Sequence, residues 1–190
     1  SVFGLQGNDL FTVTPGNLPI FVDGGDPIGV LPGDHLIVNG AVGFFAGPEN
    51  DEGGVLTAGG TVSFDHIESL TVAAIPGCPF LIVGTNGDDD ITVIARDAST
   101  TVGADGVQDF TFSINQGVNV VLINQADLYI DALSGDDDIV IRTAAPNEAA
   151  WDVNVRVAGG SPSIGAPLEA DRLVLETPNN QGGFDDIIFN

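Results

Sequence analysis

Apolar and polar residues alternate along this chain in short runs, and glycine, proline and acidic residues fall between the runs. Period-two alternation gives an extended strand one face for a core and one for water. It predicts strands at Phe11–Val13, Ile20–Val22, Leu36–Val38, Val62–Phe64, Leu70–Val72, Phe80–Val83 and Ile91–Ile94. The second half adds Phe110–Ile114, Val118–Ile123, Leu128–Ile130, Ile139–Ile141, Val153–Val157, Leu173–Leu175 and Ile187–Phe189. No stretch carries its apolar residues at helical spacing. The chain reads as all-β.

The turns between these runs repeat. Gly84-Thr85-Asn86-Gly87-Asp88-Asp89-Asp90-Ile91 joins glycines, three acids and the start of a strand. Gly135-Asp136-Asp137-Asp138-Ile139, Gly183-Phe184-Asp185-Asp186-Ile187 and Gly7-Asn8-Asp9-Leu10-Phe11 follow the same plan, Gly-x-Asp-x-apolar. Gly87, Gly135 and Gly183 are spaced 48 residues apart. Such periodicity points to stacked units, here about two turns of roughly 24 residues each in a parallel β-solenoid. One or two β-sandwich modules are the alternative, because evenly spread short strands suit both.

Longer repeats underlie the motif. Residues 62–93 align with residues 120–141 through their strands and Gly-Asp-Asp-Asp turns. Ile20-Phe21-Val22-Asp23-Gly24-Gly25-Asp26-Pro27 and Gly33-Asp34-His35-Leu36 align with Val155–Pro162 and Ala170-Asp171-Arg172-Leu173. Residues 1–190 are read as one repeat segment with sub-repeats at about 1–80 and 81–190. The text from Asn190 into Ser1 also reads as continuous repeat. The chain is thus expected to be a segment of a longer array, or a subunit whose ends meet its neighbours'.

Composition sharpens the picture. With 190 residues, 43% apolar, the chain can bury a core, and its mean hydropathy of +0.27 argues against disorder. Asp plus Glu number 27 against 4 Arg and no Lys, for a net charge of −23. That balance disfavours nucleic acid and anionic membrane surfaces. No run of 18 apolar residues suggests membrane insertion, and there is neither Met nor a leader, so a mature or excised form is expected. Cys78, the single cysteine, has no internal partner. Beside Pro79 and Phe80 it is expected to be buried, with an intermolecular link as the alternative.

Carboxylates about 5 Å apart repel by about 0.8 kcal/mol per pair in water. Turns that gather several call for a counter-charge, and a hard cation bound by 6–8 oxygens supplies it. The candidate Ca²⁺ ligands are Asn8, Asp9, Asp88, Asp89, Asp90, Asp136, Asp137, Asp138, Asp185 and Asp186. Asp23, Asp26 and Asp34 form a second acidic group, and Asn50-Asp51-Glu52 a third. A solvated Asp turn is the bland alternative for each. Paired acids also raise glycoside hydrolysis, but equivalent acids in repeated turns suit a structural ion better than one asymmetric catalyst, and no enzyme is expected. His35 and His66 read as packed or surface residues. Trp151 reads as core edge, with a sugar-stacking platform shared with Tyr129 as the alternative.

Gly84-x-x-Gly87-x-Asp89-x-Ile91 and Gly4-x-x-Gly7-x-Asp9-x-Phe11 resemble the nonapeptide of RTX, or haemolysin-type, calcium-binding repeats. The resemblance implies Ca²⁺ held between successive turns of a β-roll, with Asp9, Asp89, Asp137 and Asp185 at the ligating position. The chain departs from it in the long inserts between motifs and in Ala132, which stands where a glycine belongs. The longer units are similar to repeats of very large secreted bacterial surface proteins. Together these imply an extracellular, calcium-stabilised structural protein that self-associates end to end into a filament, surface layer or matrix. A carbohydrate-binding or adhesive module recognising extracellular polysaccharide is the alternative, and a β-helical polysaccharide-active enzyme a more distant one.

Overall fold

A computed structural model describes residues 1–96, 108–143, 151–161 and 170–177. Every regular element among them is a strand, and the strands join one 15-stranded mixed sheet with open ends. The chain is all-β, as the alternation predicts.

The recurring unit, a rung, is a strand, a turn and a second strand. β1 (Val2–Phe3) and β2 (Leu10–Val13) form the first rung, and β3 (Ile20–Asp23) with β4 (His35–Ala46) the second. After β5 (Gly53–Thr57) come β6 (Thr61–Asp65) with β7 (Ser69–Ala74), then β8 (Phe80–Val83) with β9 (Asp90–Ala95). β10 (Phe110–Ile114) and β11 (Asn119–Leu122) precede β12 (Asp127–Asp131) with β13 (Asp138–Arg142), and β14 (Asn154–Ala158) with β15 (Arg172–Glu176) follows.

First strands of neighbouring rungs pair in parallel: β1 with β3, β3 with β6, β8 with β12, and β12 with β14. Second strands do the same: β2 with β4, β4 with β7, β9 with β13, and β13 with β15. The two groups of rungs meet through antiparallel pairs. β4, β5 and β6 form one meander, β9, β10 and β11 the other, and β11 lies parallel to β7.

β4 belongs to both runs of strands. Its first part pairs with β7, and Gly43–Phe45 pair with β8. An irregularity between Asn39 and Ala41 separates the two parts, at Gly40 with φ 74°. A positive φ costs glycine little, so the strand can be redirected there without strain. Side chains of the two runs then face each other. Phe44 meets Phe112 edge to face at 5.1 Å, and Phe80 lies 6.1 Å from Phe112. Val22, Leu36, Leu70, Ile82, Ile91 and Val120 are fully buried in the same core.

The 48-residue interval is one step from rung to rung. Ile91 lies opposite Ile139 and Phe80 opposite Leu128. The pairing of residues 20–38 with 155–175 also has a structural counterpart, since each stacks on a Gly-x-Asp rung. The alignment of residues 62–93 with 120–141 has one only in its last part, where β9 lies beside β13. Elsewhere β7 pairs with β11, whereas β12 pairs with β8, so the aligned strands occupy different places.

Two further differences from the sequence reading have physical causes, and Trp151 follows it. β5 and the second part of β4, which carry glycines, are not among the predicted strands, yet they are strands. A Cβ on Gly54 would strike the Phe45 ring, and one on Gly43 would approach Leu81 O to 2.8 Å, so these glycines serve close packing. Cys78 is exposed, not buried, because it sits in the turn after Gly77 (φ 76°) while Phe80 takes the inward position. Trp151 is at the core edge: its ring meets Phe110 edge to face at 6.0 Å, and Nε1 donates to Asp109 O at 3.1 Å. Ile187–Phe189 lies outside the described residues.

Candidate functional site: the stacked acidic turns

The turn in each rung is short, so stacking the strands stacks the turns as well. Adjacent strands lie about 4.8 Å apart, within reach of an Asp side chain toward the next turn's backbone. Asp9 N–H donates to Asp34 Oδ1 and Asp34 N–H to Glu68 Oε2, both at 2.6 Å. In the other stack Asp89 N–H donates to Asp137 Oδ1 at 2.9 Å, and Asp137 N–H to Asp171 Oδ1 at 3.2 Å. Backbone bonds run alongside: His35 N–H to Asp9 O, Asp138 N–H to Asp89 O, and Arg172 N–H to Asp137 O, at 2.9, 2.8 and 2.7 Å. Asp34, Glu68, Asp137 and Asp171 thus each take the N–H of the acid one rung before with one carboxylate oxygen.

In Asp9, Asp34 and Asp89 the Oδ2 atom turns toward a glycine. A Cβ on Gly24 would collide with His66 O and lie 2.6 Å from Asp34 Oδ2. On Gly4 it would collide with Gly24 O and lie 2.7 Å from Asp9 Oδ2; on Gly84 it would lie 2.6 Å from Asp89 Oδ2 and 2.8 Å from Ala132 O. A carboxylate oxygen and a carbonyl oxygen of the next rung therefore converge on each glycine.

Asp89 is the satisfied member. Its Oδ2 accepts Thr85 N–H at 2.6 Å, and its Oδ1 accepts Asn115 Nδ2 at 2.8 Å. In two other turns the residue after the glycine position is Leu5 or Leu133, with φ 85° and 70°, and its carbonyl accepts the N–H of Asp26 or Ser161 in the next rung. Asp9 Oδ2, Asp34 Oδ2 and Asp137 Oδ2 are buried and have no hydrogen-bond partner among the described residues. Asp34 and Asp137 are wholly buried. Leaving such an oxygen bare costs about 1–3 kcal/mol, more when it is charged.

The other predicted ligands lie around these stacks. Asp88 and Asp136 sit at the turn tips, where Asp136 N–H donates to Asp88 Oδ1 at 3.0 Å. Asp90 and Asp138 open β9 and β13 opposite each other. Arg172 grips both oxygens of Asp138 at 2.6 and 2.9 Å and holds that carboxyl below the usual range. Asp23 accepts a bond from His66 Nδ1 at 2.9 Å, and that bond raises the imidazole pKa. Asp26 bridges to Gln6, and Asn8 is exposed beside Asp9. Asp51 O accepts Ile67 N–H at 3.0 Å, next to Glu68 in the chain. His35 bonds Thr71 Oγ1 at 2.9 Å. Asp185 and Asp186 lie outside the described residues.

Glu68 and Asn115 were not foreseen, since neither carries the Gly-x-Asp text; Asp171 was legible only as the partner of Asp34. Among the described residues no three His, Cys, Asp or Glu side chains converge on one point. The donors fit a hard cation in kind, carboxylate with carbonyl, and any ion here would draw on both.

Burial raises the pKa of Asp34, and Glu68, Asp9 and Asp23 add to it against the bond from Asp9 N–H. Burial likewise raises Asp137, with Asp89, Asp171 and Asp88 adding repulsion. A raised folded-state pKa means that ionisation weakens the fold. The favourable contribution is complete below the ordinary value of 3.8 and is lost as pH rises through the raised value. In metal-free buffer the melting temperature is therefore expected to rise on acidification from neutral pH. Asp34→Asn and Asp137→Asn keep the Oδ1 acceptor and remove the charge. Each is expected to stabilise by about 1–2 kcal/mol at neutral pH without calcium and to flatten the pH dependence. Melting curves that fall with acid in the wild type would contradict this.

Comparison with protein-family models, curated proteins and solved structures gives no match.

Proposed function

We propose that the chain is a calcium-locked structural unit of an extracellular repeat assembly. In this reading the parallel rungs form a two-layered β-solenoid interrupted by central antiparallel meanders, and copies stack end to end. The observation that supports it is the pair of carboxylate stacks, Asp9–Asp34–Glu68 and Asp89–Asp137–Asp171, with Asp34, Asp89 and Asp137 buried and one oxygen each of Asp9, Asp34 and Asp137 buried without a hydrogen-bond partner among the described residues. One asymmetric acid pair would suit catalysis; serial, equivalent acids suit a scaffold. Asp9, Asp34 and Asp137 would hold the ion together with carbonyls such as Gly24 O and His66 O. Bound Ca²⁺ would turn the repulsion along each stack into attraction.

A site that exists only in the folded state adds RT ln(1 + [Ca]/Kd), about 2.7 kcal/mol per site at 100-fold excess. Calcium is expected to raise the melting temperature, and EDTA to lower it and disperse assemblies. Asp34→Asn and Asp137→Asn are each expected to lose part of the calcium response. Identical melting with calcium and with chelator would end this reading. The adhesive alternative finds little footing in the cleft of about 520 Å³ beside Asp51, Glu68 and Gln116, whose lining contains no aromatic ring.

A further inference from the structure

The acids of the stacked turns are not equally provided with donors. Asp89, 2% exposed, accepts Thr85 N–H on Oδ2 at 2.6 Å. Its Oδ1 accepts the Thr85 hydroxyl at 3.0 Å and the Asn115 amide, through Nδ2, at 2.8 Å. The direction of that amide is fixed, because Asn115 Oδ1 accepts Asp90 N–H at 2.8 Å and leaves the nitrogen facing Asp89. Asn115 N–H in turn donates to Asp90 O at 2.9 Å, which clamps the β10–β11 hairpin onto the turn. Asp137, one rung on and wholly buried, has no such set. Its Oδ1 accepts Asp89 N–H, and its Oδ2 accepts no hydrogen bond among the described residues.

One position in the turn carries much of the contrast. Gly84-Thr85-Asn86-Gly87-Asp88-Asp89 and Ala132-Leu133-Ser134-Gly135-Asp136-Asp137 are equal in length, so Leu133 stands where Thr85 does. Leu133 has φ 70°, and its N–H goes to Asp131 Oδ1 at 3.3 Å instead of to Asp137. Thr85 keeps a negative φ, as a β-branched residue should, and so points its N–H at Asp89 while adding a hydroxyl. Leu5, with φ 85°, repeats the Leu133 arrangement ahead of Asp9, whose Oδ2 is also bare.

We propose that Thr85 and Asn115 take the place of a cation at Asp89, so that the turn whose text is nearest the calcium motif binds no ion. The inference rests on the calcium reading above and adds which residues decide where the ion goes. Three donors occupy most of the four acceptor positions of the Asp89 carboxylate, and a cation there would have to displace them. At Asp137 Oδ2 it displaces none.

The test counts calcium ions on the full chain by native mass spectrometry and follows melting in calcium and in EDTA. Asp89→Asn is expected to hold as many ions as the wild type, and Asp137→Asn fewer. Asn115→Asp, almost unchanged in size, replaces the donor with a second carboxylate beside Asp89. It is expected to melt below the wild type in EDTA, to gain more from calcium than the wild type does, and to hold one further ion. Should it be unfolded in EDTA, calcium is expected to fold it. Thr85→Val removes the hydroxyl donor alone and is expected to enlarge the calcium response by less. An ion lost in Asp89→Asn overturns the inference, and so does a calcium response that neither Asn115→Asp nor Thr85→Val enlarges. A wild type that binds no calcium, beside an Asn115→Asp chain that does, removes the calcium-locked reading and keeps the role of Thr85 and Asn115.

Discussion

Phe112→Ala is expected to lower the stability of the entire chain by about 3–5 kcal/mol, the usual cost of emptying a buried aromatic site. At this chain length that is a fall in melting temperature of about 10 °C, given about 2–4 °C per kcal/mol. Phe112 is 1% exposed on β10, in edge contact with Phe44 and near Phe80, while Phe44 lies 6.3 Å from Phe64. This cluster joins the layers where the two groups of parallel rungs meet. Its loss should loosen both groups at once, so unfolding is expected to remain a single transition at lower temperature. Phe3→Ala is the control. Phe3 is 60% exposed and touches Phe21 at the first rung, and its removal is expected to cost less than about 1 kcal/mol. Equal effects at the two positions, measured by thermal and urea melts, would show that the cluster does not hold the halves together.

Gly24→Ala is expected to cost about 3 kcal/mol, at the upper end of overpacking. The new methyl group would collide with His66 O and crowd Asp34 Oδ2, and backbone held on both sides by parallel strands cannot retreat. The loss should persist in saturating calcium, because the methyl group displaces the oxygens that would hold the proposed ion. Gly16→Ala, with nothing within 4 Å of its Cβ position, is expected to stay within about 0.5 kcal/mol of wild type. A Gly24→Ala chain that melts like wild type and still responds to calcium would mean that the glycine does not shape the turn.

Much of this fold was legible because each rung is written locally. Ile91–Ile94 and Ile139–Ile141 alternate, their turns carry Gly-Asp-Asp, and their 48-residue spacing returns as the register of Ile91 with Ile139. What escaped depends on distant neighbours. Gly43 and Gly54 look like turn residues until Leu81 and Phe45 fill the space above them. Leu70–Val72 looked equivalent to Leu128–Ile130, but strands with the same period can join either run, and only tertiary pairing separates β7 from β12. At the stacked turns, Asp9, Asp89 and Asp137 were singled out by motif spacing and Asp34 as part of the acidic group around Gly24 and Gly25. Glu68 was hidden in His66-Ile67-Glu68, a turn without the glycine motif, and Asn115 acts on Asp89 from a different hairpin.

The central meanders differ from the rungs in how far apart their partners lie along the chain. Leu56 pairs with Thr61 and Phe112 with Val120, whereas Val2 waits for Val22, Ser69 for Asn119 and Ile91 for Ile139. Closing a short hairpin loses less chain entropy than closing a loop of dozens of residues. Order should therefore nucleate in the middle and spread outward, so the outermost strands are the last to form and the first to fray. The fold is expected to order from its two hairpin meanders toward the parallel rungs that flank them.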